Sequence, residues 1–103
     1  MATRDREVLE GVQVQGEDEV IVYTLNVVAL GDDANVTGVV VYDDRRVNVT
    51  STVMPVNTPT ALGSIITLSP LQSLTAGVMY RVEVRYLIDG NALESYFYVQ
   101  GEL

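Results

Sequence analysis

At 103 residues the chain has room for one domain, which would bury roughly 65% of the surface its unfolded form exposes, enough for a single core. It contains no His, Cys, Trp or Lys, so it has no disulfide staple, thiolate, imidazole or amine with which to build the commonest catalytic and metal sites. The formal net charge of −8, from 14 acidic against 6 basic residues, repels phosphate backbones and anionic lipid; neither nucleic acid nor a membrane is expected as a direct partner.

The first residues, Met-Ala-Thr-Arg-Asp-Arg-Glu, are polar and charged. They are expected to form an N-terminal arm over 1–7, flexible or held by a partner, ahead of one β-sandwich domain over 8–103. No apolar run long enough for a signal peptide or a membrane span follows, so the chain is expected in a cytoplasm or in a particle assembled there.

From Val8 onward, short apolar runs rich in Val, Leu, Tyr and Thr alternate with turn residues, the pattern of an all-β sandwich or barrel. Strands are expected near 8–15, 20–30, 36–42, 47–54, 64–69, 78–88 and 92–99, with no helix. Gly31-Asp32-Asp33-Ala34-Asn35 and Asp43-Asp44-Arg45-Arg46 supply turn chemistry between them. Pro55, Pro59 and Gly63 keep the 55–63 loop out of any ladder. Ile88-Asp89-Gly90-Asn91 is the strongest hairpin signal, because a tight reversal needs positive φ.

Alternation assigns faces. In 78–88, Val78, Tyr80, Val82, Val84, Tyr86 and Ile88 point inward, and Met79, Arg81, Glu83, Arg85 and Leu87 outward. In 92–99, Leu93, Ser95, Phe97 and Val99 alternate with Ala92, Glu94, Tyr96 and Tyr98. The 20–30 strand would turn Ile21, Tyr23, Leu25, Val27 and Ala29 inward, and the 47–54 strand Val47, Val49, Ser51 and Val53. Leu74, Gly77 and Tyr80 have the Leu-x-x-Gly-x-x-Tyr spacing of a tyrosine corner, in which the phenol bonds back to the preceding loop.

Candidate chemistry is sparse. Glu17-Asp18-Glu19, Asp32-Asp33 and Asp43-Asp44 are acid-rich turns, but none has the alternating acidic spacing of a Ca²⁺ loop, and Arg45 and Arg46 sit among them. They are expected to be solvated, with no metal and no cofactor. The Asn35 and Asn48 Asn-Val-Thr triplets match a glycosylation pattern, but they are common by chance in β-rich sequence and are expected to be unmodified. No nucleophile and base, and no carboxylate pair in a cleft, can be assembled, so no enzymatic activity is expected. The informative feature is apolar. Val39-Val40-Val41 is apolar on both faces, and Met79, Leu87, Tyr96 and Tyr98 share the outward face with Arg81 and Arg85. If the third, sixth and seventh strands share one sheet, its outer face is more apolar than a monomer usually shows, and Met79, Arg81, Arg85, Leu87, Tyr96 and Tyr98 are the candidate interface residues.

The run from Glu7-Val8-Leu9 through Tyr23 and Val36–Asp43, then Leu74-Thr-Ala-Gly-Val-Met-Tyr-Arg-Val-Glu-Val, Asp89-Gly-Asn and the Glu94-Ser-Tyr-Phe strand, resembles the small immunoglobulin-like virion proteins of tailed bacteriophages. That family includes fibre–tail adaptors and capsid decoration proteins. The resemblance implies an immunoglobulin-like or fibronectin-III-like sandwich of about seven strands. It also implies a non-enzymatic virion protein that binds capsid, neck or tail-fibre proteins as a homo-oligomer or in multiple copies. Two alternatives stand beside it: a host- or carbohydrate-binding module, for which only Tyr96 and Tyr98 offer an aromatic platform, and a domain appended to a secreted enzyme.

Overall fold

The computed structural model describes residues 5–103, with side chains from Gly11 onward. Seven strands follow in chain order: β1 (Asp5–Gln15), β2 (Thr24–Asn26), β3 (Ala34–Tyr42), β4 (Thr60–Leu62), β5 (Ile65–Thr67), β6 (Met79–Ile88) and β7 (Asn91–Gly101). One helical turn, α1 (Thr50–Val53), lies between β3 and β4. The strands form a four-stranded sheet in the order β1-β7-β6-β3 and a three-stranded sheet in the order β2-β5-β4, a sandwich-like arrangement around one buried cluster.

The β6–β7 hairpin is the longest regular unit. Asp89 and Gly90 take φ of 49° and 79°, the two consecutive positive values that match a tight turn to the right-handed twist of its strands. The ladder then runs unbroken from Ile88↔Asn91 to Met79↔Gln100. β3 joins β6 antiparallel, with a shift in register between Val36 and Gly38, and β1 joins β7 parallel. Along β6 the Val, Tyr and Ile side chains at even positions are buried, as are Leu93, Ser95, Phe97 and Val99 of β7. They meet Val39 and Val41 of β3 and, from the other sheet, Leu25 and Ile66. Full burial of a Val or Leu side chain contributes about 1.5–3 kcal/mol, so this cluster is the main source of stability.

Among the described residues every buried polar side-chain atom has a hydrogen-bond partner. Tyr86 Oη and Ser95 Oγ are 2.6 Å apart across the hairpin, and the Thr58 N–H donates to Ser69 Oγ at 2.8 Å. Gln15 is fully buried: its Nε2 donates to the carbonyls of Leu71 (2.7 Å) and Glu19 (3.0 Å), and its Oε1 accepts from Tyr23 Oη (3.0 Å). At the same end of the molecule the Tyr80 ring is buried, and its hydroxyl accepts a hydrogen bond from the Thr75 N–H at 2.8 Å. Leu74 is buried below it, and Gly77 takes φ 80° so that its N–H can reach the Gly101 carbonyl at 2.9 Å. A Cβ at Gly101 would collide with the Thr75 carbonyl, so the turn lies directly on the end of β7.

The strand expected over 47–54 does not form. Asn48 makes a single bridge to Tyr42, and the chain then turns into α1. The local cause is Asn48: its Oδ1 accepts from the Thr50 N–H (3.1 Å) and from Thr50 Oγ1 (2.7 Å), offering the backbone an alternative to a ladder. The helical turn buries the consecutive residues Val53 and Met54, which an extended strand would send to opposite faces, and leaves Val47 and Ser51 exposed. It also closes the edge of β3. The Val41 N–H donates to Thr50 Oγ1 (2.8 Å), the Val41 carbonyl accepts from the Val49 N–H (2.9 Å), and the Val39 carbonyl accepts from Asn57 Nδ2 (2.9 Å).

The expected strand 20–30 contracts to β2, with an isolated bridge from Ile21 to Leu71 and a 3₁₀ turn over Val28–Leu30 that leaves Ala29 exposed. The 64–69 strand contracts to β5, and its partner β4 occupies part of the loop between Pro55 and Gly63. Of the arm expected over 1–7, residues 1–4 lie outside the described residues. Asp5, Arg6 and Glu7 run within β1, in register with Glu94, Ser95 and Tyr96.

Candidate functional site: the outer face of the four-stranded sheet

Met79, Arg81, Arg85 and Leu87 fall on one side of β6, and Tyr96 and Tyr98 on the same side of β7, because outward positions pair with outward positions across an antiparallel ladder. The rows are Met79↔Gln100, Arg81↔Tyr98, Glu83↔Tyr96, Arg85↔Glu94 and Leu87↔Ala92. The structure therefore brings all six candidate residues onto one surface. Four further residues extend it. Val12 and Val14 of β1 stand beside Tyr98 and Gln100, and Val40 and Tyr42 of β3 beside Glu83 and Arg81.

The charges run along the surface beside the aromatics. Arg81 Nε donates to Glu83 Oε2 at 2.8 Å, its Nη1 lies 3.3 Å from Tyr98 Oη, and its guanidinium carbon sits 4.0 Å above the centre of the Tyr96 ring. On the other side Arg85 reaches Glu83 Oε1 at 3.9 Å and Glu94 Oε2 at 3.6 Å. The two carboxylate side chains are only 13% and 16% exposed, against 52% for Arg85, so the acids lie beneath a layer of guanidinium and phenol. Much of their water is already displaced, which lowers the further desolvation cost of covering this surface with another protein.

Tyr96 and Tyr98 meet edge to face, with centroids 5.6 Å apart and planes at 76°. Together with the guanidinium over Tyr96, this leaves no flat pair of free ring faces of the kind on which a sugar stacks. At the Met79 end the surface falls into an open cleft of ≈ 500 Å³, lined among others by Tyr42, Asp43, Asp44 and Arg46. Asp43 is committed to its own turn, its Oδ1 accepting from the N–H groups of Arg45 and Val47 at 2.9 Å each. Glu19 is held likewise, its Oε1 taking the Gly16 N–H. Among the described residues no group of three or more acids is close enough to hold a metal ion.

Alternation alone identified the hairpin's share of this surface. The shares of β1 and β3 depend on which strands flank the hairpin, and no local pattern carries that. No family model, curated protein or solved structure matches the chain. Among the described residues no helix is long and apolar enough to cross a membrane.

Proposed function

We propose that this chain is a non-enzymatic structural protein of a tailed-bacteriophage virion, a decoration or adaptor protein that takes its place among capsid, neck or tail-fibre proteins and whose outer face of the four-stranded sheet is the assembly interface, covered by copies of itself or by another virion protein. The observation that carries the docking surface is the state of its charges. Arg81 and Arg85 balance Glu83 and Glu94, with the acids already largely withdrawn from water, on a chain whose net charge is −8. A surface built for solvent would expose its carboxylates; a surface built for a protein neutralises them and presents Tyr, Met and Arg.

The virion assignment rests on the sequence resemblance, and the strand order supports the immunoglobulin-like part of it. In that fold the second, fifth and fourth strands make one sheet and the third, sixth and seventh the other, the orders found in β2-β5-β4 and β3-β6-β7. The first strand departs from the constant-domain layout, lying beside β7 instead of β2. The lack of His, Cys and Lys supports a role without catalysis.

The test is incorporation. Particles produced with Tyr98→Asp in place of the original chain are expected to lack the protein, while the purified variant melts as the original does. Incorporation at the normal copy number would overturn the assignment.

A further inference from the structure

We propose that the occupant of the outer face is a second copy of this chain, stacked face to face about a two-fold axis that runs along the strands, midway between β6 and β7. The inference rests on the outer face being a protein interface, and adds which protein covers it and in what register.

The axis follows from the topology. In the order β1-β7-β6-β3 the midline of the sheet falls between β7 and β6, so a two-fold axis there gives the greatest overlap of two faces. Such an axis keeps position along the strands and exchanges left for right. It therefore lays β6 of one copy over β7 of the other and sets each row of the hairpin against its own reversed image.

The rows are complementary under that operation. Arg85 of one copy meets Glu94 of the second copy, and Glu94 meets its Arg85. Arg81 meets Tyr98 of the second copy, and Leu87 meets Ala92, because these are the residues that face each other across the hairpin. The two flanking strands exchange in the same way, bringing Val12 over Tyr42 of the second copy. A two-fold axis across the strands, centred on Glu83, would instead put Glu83 on Glu83 and Arg81 on Arg85. The antiparallel hairpin, with opposite charges across one of its rows, thus favours one of the two symmetric ways of stacking.

Charge and size agree with a like partner. A strongly basic partner would be drawn to the acidic turns; Arg81, Arg85, Glu83 and Glu94 at the centre of this face sum to zero, so the hairpins of two copies can meet here without net repulsion between these groups. Stacked sheets pack about 10 Å apart at about −30°, an angle set by their own twist, and two copies of one sheet have the same twist. Four strands about 4.8 Å apart and about ten residues long outline roughly 650 Å², and side-chain relief brings this near the roughly 800 Å² per partner of a standard interface.

The experiment is sedimentation of the full chain from about 1 μM to about 1 mM, with Arg85→Glu, Glu94→Arg, an equimolar mixture of these two, and Tyr98→Asp. The unsubstituted chain is expected to dimerise. Each charge variant alone, with like charges opposed at both symmetric contacts, is expected to raise the dimer dissociation constant about tenfold or more. The mixture is expected to recover dimer, because each introduced charge then meets its opposite. Tyr98→Asp, whose fold is checked by melting, is expected to be monomeric. A chain that stays monomeric at the highest concentration, or a mixture no better than its components, overturns the stacked dimer. If that happens while Tyr98→Asp still empties particles of the protein, the face keeps its docking role with a different occupant; if particles fill normally, both readings fall.

Discussion

Replacing Gln15 by methionine removes the one fully buried amide in the described part of the molecule while keeping nearly the same length and volume, so no cavity complicates the result. Three hydrogen bonds disappear, each with a net value of about 1 kcal/mol. Their partners are not left equally stranded. The Leu71 carbonyl keeps the Ile21 N–H at 3.0 Å, the Glu19 carbonyl belongs to an exposed residue, and the half-buried Tyr23 hydroxyl can turn toward water. The expected loss is therefore about 2 kcal/mol, toward the lower end of what three bonds allow. Gln15→Ala adds a cavity at the same place and is expected to cost about 1–2 kcal/mol more. Urea unfolding followed by tyrosine fluorescence measures both, with a lowered midpoint and an unchanged slope as the signature of a purely native-state effect. A methionine variant within about 0.5 kcal/mol of the original would refute the view that this amide ties β1 to the Ile21–Leu71 bridge.

Tyr80→Phe removes the acceptor of the Thr75 N–H and is expected to cost about 1 kcal/mol, since Thr75 itself is exposed and water can replace part of the bond; urea midpoints check it. Gly101→Ala would force the 74–78 turn off the end of β7, and a drop in melting temperature of several degrees, larger than that of Tyr80→Phe, is expected by calorimetry. Burial, with the Glu19 carboxylate adding to it, pushes the Tyr23 phenol above its usual 10.0. The folded state therefore prefers the protonated hydroxyl, so this contribution is complete below about pH 10 and is lost as the pH rises through the raised value. In urea titrations across that range, Tyr23→Phe is expected to flatten the alkaline decline relative to the original chain.

The hairpin was legible in the sequence because two kinds of signal agree there: an unbroken period of two through β6 and β7, and Asp-Gly at the reversal. The same alternation sorts Met79, Arg81, Arg85, Leu87, Tyr96 and Tyr98 onto one surface. The 47–54 stretch has equally good strand propensity, but the Asn48–Thr50 side-chain bonds and the chance to bury Val53 and Met54 together favour a helical turn, a balance that propensity does not see. β4 has three residues, too few to show a period, and lies between Pro59 and Gly63, both strand breakers. Nor does the sequence mark Gln15: alternation in Val12-Gln13-Val14-Gln15 argues for valine inward and glutamine outward, and pairing with β7 does the reverse, burying Gln15 and exposing Val12 and Val14. Val12, Val14, Val40 and Tyr42 join the surface only through long-range pairing, above all the parallel registry of β1 with β7.

In the function proposed above, the outer face of β1-β7-β6-β3 is the interface through which this protein is built into a virion. The decisive measurement is the copy number of the protein in purified particles carrying Tyr98→Asp, set against a capsid protein by quantitative gel or mass spectrometry. Near-complete loss from the particle is expected, with the purified variant retaining the original melting temperature and urea midpoint. A folded variant present at the original copy number would contradict it.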